Sequence, residues 1–375
     1  MRVAICAVAA LSLAACATTP VPNARSLTAE QIAAMGPTPV VVVEANDGVT
    51  KSWFAKDNSA VGASYGLIGV LTVAVMDGMM NAGPSRRARQ AADEIAEKTT
   101  IEDLTQSATA PFKTMAAATP STGGVTFSEI STTQRIATPD PVNDAVEVTT
   151  AYTLSEDAST LRVVANVTYQ NTDLPYQTQH TFEGAPPKSE LTGPAYRNSF
   201  TYMSRQIAPP ILTPELKERL IASIEASARD EAGNLPVEGT DGFKAMTREL
   251  EQAQDGELSK EEIAIFLTRE WAKDDGALLR QELANAHDFV SRFALADINA
   301  MKPASMTGTD EVVEVAADGR TVRRIGAGVI AGSYVSSPAE VSAFVTFGNA
   351  VGVAKTHIER TKTLRENSRA ANAAR

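Results

Sequence analysis

Everything beyond position 16 of this 375-residue chain must fold without a thiol, because its two cysteines, Cys6 and Cys16, both lie in the first sixteen positions. Disulfide staples, Cys-ligated zinc, iron–sulfur clusters and a cysteine nucleophile are thereby excluded from the body of the protein. Such a chain has to be held by its own core. With 43% apolar and 21% charged residues it has the material for one, being too apolar for a disordered tail and too charged for a polytopic membrane protein. The length allows one large domain or two. Thirty-four basic against forty-five acidic residues give a net charge of -11, the wrong sign for finding nucleic acid or anionic lipid through the overall field. No nucleic-acid partner is expected.

The segment that carries both cysteines reads MRVAICAVAALSLAACATTP: one cation at Arg2, an uncharged apolar run from Val3 to Ala15, then Cys16 and a Thr/Pro stretch. That run is shorter than the ~20 residues a helix needs to cross a bilayer, and its flanks are those of a processed export signal. An ordinary signal peptide cut at an A-x-A-like site would account for this much. Leu13-Ala14-Ala15-Cys16, however, resembles the lipobox of bacterial lipoproteins. The resemblance implies that the Cys16 thiol is alkylated by a diacylglyceryl group, that residues 1–15 are removed as the signal peptide, and that the new amine is acylated in turn. Small side chains at Ala14 and Ala15 leave room for a peptidase, and only a thiol offers the lipid donor a good nucleophile. Two or more acyl chains, at ~0.8 kcal/mol per buried methylene, anchor a protein stably without a spanning helix. By the same resemblance Ala17, where an Asp would favour retention at the inner membrane, favours the outer membrane; the protein is expected to face the periplasm. Loss of Arg2 with the signal takes the net charge to -12.

Residues 16–39 read as the lipidated Cys and a flexible tether, with Pro20, Pro22, Pro37 and Pro39 around a short helix capped by Thr28 and Gln31. Residues 40–210 read as an α+β part. Two strands are expected around Asn46-Asp47-Gly48, a hairpin signal, followed by a Gly-rich apolar helix over 60–80 and a basic, Ala-rich helix from Arg86. Strands are expected over 146–154, 161–169 and 196–203. Residues 211–302 read as an acidic helical block. Thr213-Pro214 opens a first helix, Phe243, Met246 and Leu250 mark a second, Ser259 with Glu262 caps a third, and Leu279, Leu283, Val290 and Phe293 mark a fourth. Between Thr213 and Asp297 stand nineteen acidic and ten basic side chains. Residues 303–375 read as a hairpin turning at Asp318-Gly319, then a long C-terminal helix opened by Ser337-Pro338-Ala339-Glu340. Its end, Lys355–Arg375, carries six cations and two acids.

Several motifs suggest chemistry and fail in context. Gly62-Ala63-Ser64-Tyr65-Gly66 fits the G-x-S-x-G nucleophile elbow, with His180, His287 and His357 downstream. The polar KDNSA precedes it where a buried strand is needed, and later elements read as hairpins and not βαβ units. Gly326-Ala327-Gly328-Val329-Ile330-Ala331 fits a dinucleotide loop, but its strand belongs to a hairpin and Pro338 interrupts the following helix. Asp255-Gly256 with Glu262 resembles the second half of a calcium loop, yet Glu251 and Ala253 are poor ligands for its first half. His287 stands at helical spacing beside Leu283 and Val290, the setting of a packed histidine. G-x-x-x-G recurs at Gly62/Gly66, Gly328/Gly332 and Gly348/Gly352, a spacing that lets helices approach closely.

The expected fold is therefore α+β, a mostly antiparallel sheet with an inserted acidic helical block and a long C-terminal helix. The expected function is that of an outer-membrane-anchored lipoprotein acting as a non-enzymatic binding, assembly or envelope-integrity factor. Its partners are the membrane, through Cys16, and an envelope protein or polymer. The alternatives are an envelope serine hydrolase using Ser64 and an oligomeric membrane-inserting protein using the Gly-rich helices. Lipidation at Cys16 is the one site assigned; no catalytic, cofactor or metal residue is.

Overall fold

The computed structural model describes residues 21–43, 49–51, 82–118, 124–133, 142–155, 158–174, 193–255, 258 and 260–342. They form an α+β fold around a nine-stranded mixed sheet. The elements are, in chain order, α1 (Ala29–Ala34), β1 (Thr38–Val43), β2 (Val49–Lys51), α2 (Ala82–Lys98), α3 (Ile101–Ala118), β3 (Phe127–Thr133), β4 (Ala145–Leu154), β5 (Leu161–Gln170), β6 (Tyr196–Met203), α4 (Pro214–Ala228), α5 (Asp241–Gln254), α6 (Lys260–Ala300), β7 (Glu311–Val315), β8 (Thr321–Arg324), β9 (Tyr334–Ser337) and α7 (Ala339–Ser342).

The sheet runs β3-β1-β4-β5-β6-β9-β8-β7, with β2 also on β4. Antiparallel pairing joins β4 to β5, β5 to β6, β7 to β8 and β8 to β9. The pairs β1–β3, β1–β4, β2–β4 and β6–β9 are parallel, so the sheet is more mixed than the hairpin signals predict. Parallel neighbours need crossover connections, and α2 and α3 supply one between β2 and β3, where α3 packs on β1 and β3. The expected hairpin at Asn46-Asp47-Gly48 is overturned by the same pairing. Both β1 and β2 run parallel to β4, at 146–149 and then 152–154, so they do not pair with each other; the triplet itself lies outside the described residues. An Asn-Asp-Gly triplet favours a turn but does not oblige the flanking strands to pair with each other.

Alternation sets the buried face. Along β5 and β6 every second residue is buried, Leu161, Val163, Ala165, Val167 and Tyr169 on one, Tyr196, Asn198, Phe200 and Tyr202 on the other. The second half of α6 lies on this face, contributing Leu279, Leu283, Ala286, Phe289, Val290 and Phe293 to the same core. At α6's midpoint the helix breaks: Asp274, Asp275 and Gly276 take φ of 50, 57 and 71°, the left-handed region that Asp and Gly tolerate best. Two helices, as the periodicity predicts, therefore meet at a corner. Trp271 just before it is fully buried, its indole N–H donating to the Ala158 carbonyl at 2.7 Å.

Helices α4 and α5 keep a small core of their own, Ile224, Met246 and Ala253. Thr213 and Thr240 cap them, accepting from Leu216 N and Phe243 N. The acidic block is tied to the rest through α2, which packs on both α4 and α6.

Residues 21–39 are not a tether over their whole length. Leu27 is 1% exposed and Ile32 7%, both within the main core, and Thr28 and Gln31 form the expected capping box. Two apolar side chains at the right spacing outweigh the local prolines. The hairpin through Asp318-Gly319 is present, with Gly319 at φ 83° and its N–H bonded to the Ala316 carbonyl. The C-terminal helix begins at Ala339, one residue after Pro338, and is described to residue 342.

Candidate functional site

Three tyrosine hydroxyls on the buried face of the sheet meet three ionisable side chains of α6. Tyr202 of β6 donates to Glu282 at 2.6 Å, Tyr152 of β4 lies 2.9 Å from Nε2 of His287, and Tyr196 of β6 donates to Asp297 at 2.9 Å. Glu282, His287 and Asp297 are each 6% exposed or less. A polar group this deep needs a partner, and each has one.

His287 merits the closest comparison, since sequence alone offers it as a base. Its Nδ1 lies 3.0 Å from Ser107 Oγ on α3, which makes a serine–histidine pair. Three features argue against a nucleophile. Burial pushes the imidazole down to about 4, with a hydrogen bond to the Ser107 backbone opposing the shift, so the ring is neutral and weakly basic at pH 7. That backbone contact has a covalent cause: Pro111, four residues on inside α3, has no N–H to give the Ser107 carbonyl. The imidazole is thus engaged with the backbone of Ser107 as well as with its hydroxyl. Behind the ring stands Tyr152, whose hydroxyl burial holds above its ordinary value, where a relay would place a carboxylate.

Around Asp297 the network is wider. Asn198 donates to it at 2.7 Å and to the Gly332 carbonyl at 3.0 Å. Burial raises the Asp297 carboxyl, and the hydrogen bonds from Asn198 and Tyr196 together with the nearby Arg324 draw it back. Arg324 is 7% exposed and donates to the Lys302 carbonyl at 2.7 Å. A separate charged cluster ties the helices together. Arg87 of α2, 1% exposed, donates to Ser227 of α4 at 2.8 Å, to Glu249 of α5 at 2.8 Å and to Glu262 of α6. Burial raises the Glu262 carboxyl, with Arg87 opposing. Glu262 is thus an arginine's partner and not a calcium ligand. Glu251 and Ala253 lie inside α5, where no loop can form around an ion. Among the described residues no group of three metal-ligating side chains comes together.

The Gly-rich sequence 326–332 forms neither of the structures its two motifs resemble. It links β8 to β9, so a strand and not a helix follows, and no helix N-terminus faces a phosphate. Nor do Gly328 and Gly332 lie on a helix; they take φ of 80 and 89° in turns. Against this loop lies the N-terminal segment. Asn23 N donates to the Val329 carbonyl at 2.7 Å, and Arg25 and Arg197 exchange backbone bonds at 2.7 and 3.1 Å. Ala24, Ala304 and Ala331 form a small apolar cluster, and a Cβ on Gly332 would stand 2.7 Å from Ala24 Cβ and 2.9 Å from Ala304 Cβ. Replacing Gly332 by Val is therefore expected to cost on the order of 3 kcal/mol, from a left-handed φ plus overpacking. It should also expose the buried Arg25 to trypsin; unchanged resistance of the Arg25–Ser26 bond would show that the clamp does not depend on this contact.

Cys16, Ser64, His180, His357, the 60–80 segment and the Gly348/Gly352 pair lie outside the described residues. Sequence reasoning missed α3, which carries Ser107 and Pro111; it also missed β9, four residues too short and too serine-rich to read as a strand, and the three tyrosine contacts, whose partners are separated by 80 to 135 residues. No protein-family model, curated protein or solved structure matches the chain.

Proposed function

We propose that this is a lipoprotein anchored to the outer membrane through Cys16, facing the periplasm and acting as a non-enzymatic binding, assembly or envelope-integrity factor. The observation that carries it is Leu13-Ala14-Ala15-Cys16 at the end of an apolar run with a single preceding cation. Two features of the fold support this reading. No helix among the described residues is long and apolar enough to cross a membrane, so no described helix competes with an anchor at Cys16. The chemically capable side chains that the fold gathers are buried and bonded to one another, which suits a scaffold. Of the nineteen acids of the helical block, Glu249, Glu262, Glu282 and Asp297 are turned inward; the others, in excess over its ten bases, offer a charged surface for a basic partner.

Metabolic labelling with an alkynyl fatty acid should mark the wild-type protein and not Cys16→Ala, a complete loss of signal. Equal labelling of the two would overturn the anchor. The substitution should also release the protein from the membrane fraction.

A further inference from the structure

Building on the reading of Cys16 as the lipidated residue, we propose that the β8–β9 loop, with Val329 and Ile330 at its tip, is the face this protein lays against the phospholipid surface. The chain is fixed to that loop from Asn23 onward: the Asn23 N–H donates to the carbonyl of Val329 itself, and Ala24 is buried against Ala331. Six residues lie between Cys16 and Asn23, and the seven residue steps span at most ~25 Å however they run. A body of this length has a radius of gyration of about 21 Å. The anchor therefore cannot reach around the molecule, and the surface nearest the acyl chains is the surface that holds Asn23.

What that surface presents is apolar where loops are ordinarily polar. Val329 is 48% exposed and Ile330 39%, two aliphatic side chains side by side in a turn. The turn closes behind them: Ala331 N donates to the Gly328 carbonyl at 3.0 Å and Ser333 N to the Ile330 carbonyl at 3.1 Å. Its own hydrogen bonds are thus made within the loop and with residues 23, 198, 306 and 310, and Val329 and Ile330 keep their side chains exposed. Two such side chains are too few to hold a protein at a bilayer alone, but with acyl chains supplying the affinity they orient it. The mature chain's net charge of -12, the full chain's -11 less the cation of Arg2, gives no overall attraction to anionic headgroups, so the contact is apolar and belongs on zwitterionic lipid.

The test uses the absence of thiols after Cys16. In the mature lipoprotein an engineered Val329→Cys or Ile330→Cys is the one free thiol, and an environment-sensitive fluorophore on it reports its surroundings. Val237→Cys, at a 74% exposed valine between α4 and α5, is the control. The full chain is expressed, and the mature protein is reconstituted into phosphatidylcholine vesicles carrying a nitroxide lipid. Quenching at 329 and 330 should exceed that at 237 by about threefold or more, with a blue-shifted emission. The mass of the N-terminal peptide from the same preparation reports acylation of Cys16. An acylated protein quenched equally at all three positions overturns the orientation and leaves the anchor standing; an unacylated Cys16 overturns the anchor and this inference with it.

Discussion

Arg87→Met lowers the stability of this protein by an expected 3–5 kcal/mol, read from chemical denaturation. The guanidinium is 1% exposed and serves Ser227, Glu249 and Glu262, whose side chains come from three different helices. Methionine keeps most of the stem and removes the charge, so two nearly buried carboxylates, 14% and 13% exposed, lose their cation. Burial already disfavours the ionised form of Glu262, and the variant removes the group that opposes this most, leaving only the weaker effect of Arg269. The informative partner is the triple variant Arg87→Met, Glu249→Gln, Glu262→Gln, which leaves no charge uncompensated. It should recover at least half of the loss. A triple variant as unstable as the single would assign the loss to the arginine's packing and hydrogen bond to Ser227, and not to stranded charge.

The second large effect is a dependence on pH. His287 has a folded-state value of about 4, depressed by burial from an ordinary 6.5. In the interval between them the unfolded chain binds a proton that the folded protein does not, so stability is full above pH 6.5 and falls as the pH drops toward 4. Over the whole interval the loss amounts to about 3 kcal/mol. Asp297 and Glu262 act in the opposite sense, since burial raises both and each binds its proton more readily in the folded state. The difference between wild type and His287→Gln isolates the histidine, because the acids are common to both. The glutamine variant should lose that slope between pH 6.5 and 4. Parallel curves over the interval would mean that the imidazole is hydrated or already protonated in the folded state.

Much of the local structure was legible because it is governed by near neighbours. Thr28 with Gln31, Thr213 with Pro214, and Asp318-Gly319 each act over two to four residues, and each does in the structure what its residue types favour. Alternation placed β4, β5 and β6 to within a residue. Asn46-Asp47-Gly48 misled because turn propensity says nothing about which strand becomes the partner, and here β4 outcompeted the self-pairing. The prolines near 20–39 misled in another way, since their restriction of the backbone is compatible with a chain pinned by Leu27 and Ile32.

The candidate site was less legible for a physical reason. His287 reads in sequence as a histidine on an apolar helix face, and Pro111 as a helix irregularity. Neither predicts that the carbonyl left without a donor by one sits beside the ring of the other. Arg87 is similar: a basic residue in an Ala-rich helix gives no sign that it will be among the most buried side chains in the protein. Pairings of this kind are set by how elements dock, which is information about distance that a local pattern does not hold.

The three tyrosine contacts along α6 have a bearing on error. An apolar helix face on an apolar sheet can slide by a turn, about 5.4 Å, at modest cost, because one aliphatic side chain substitutes for another. Glu282, His287 and Asp297 forbid that substitution. A displacement of one turn would take all three from their tyrosine hydroxyls together, at about 1–3 kcal/mol for each buried group left without a partner. The misdocked arrangement is then penalised three times over for a single mistake. Cross-links being denied to this chain after Cys16, the spacing of three hydroxyls is what rejects a near-miss and leaves one seating of the helix.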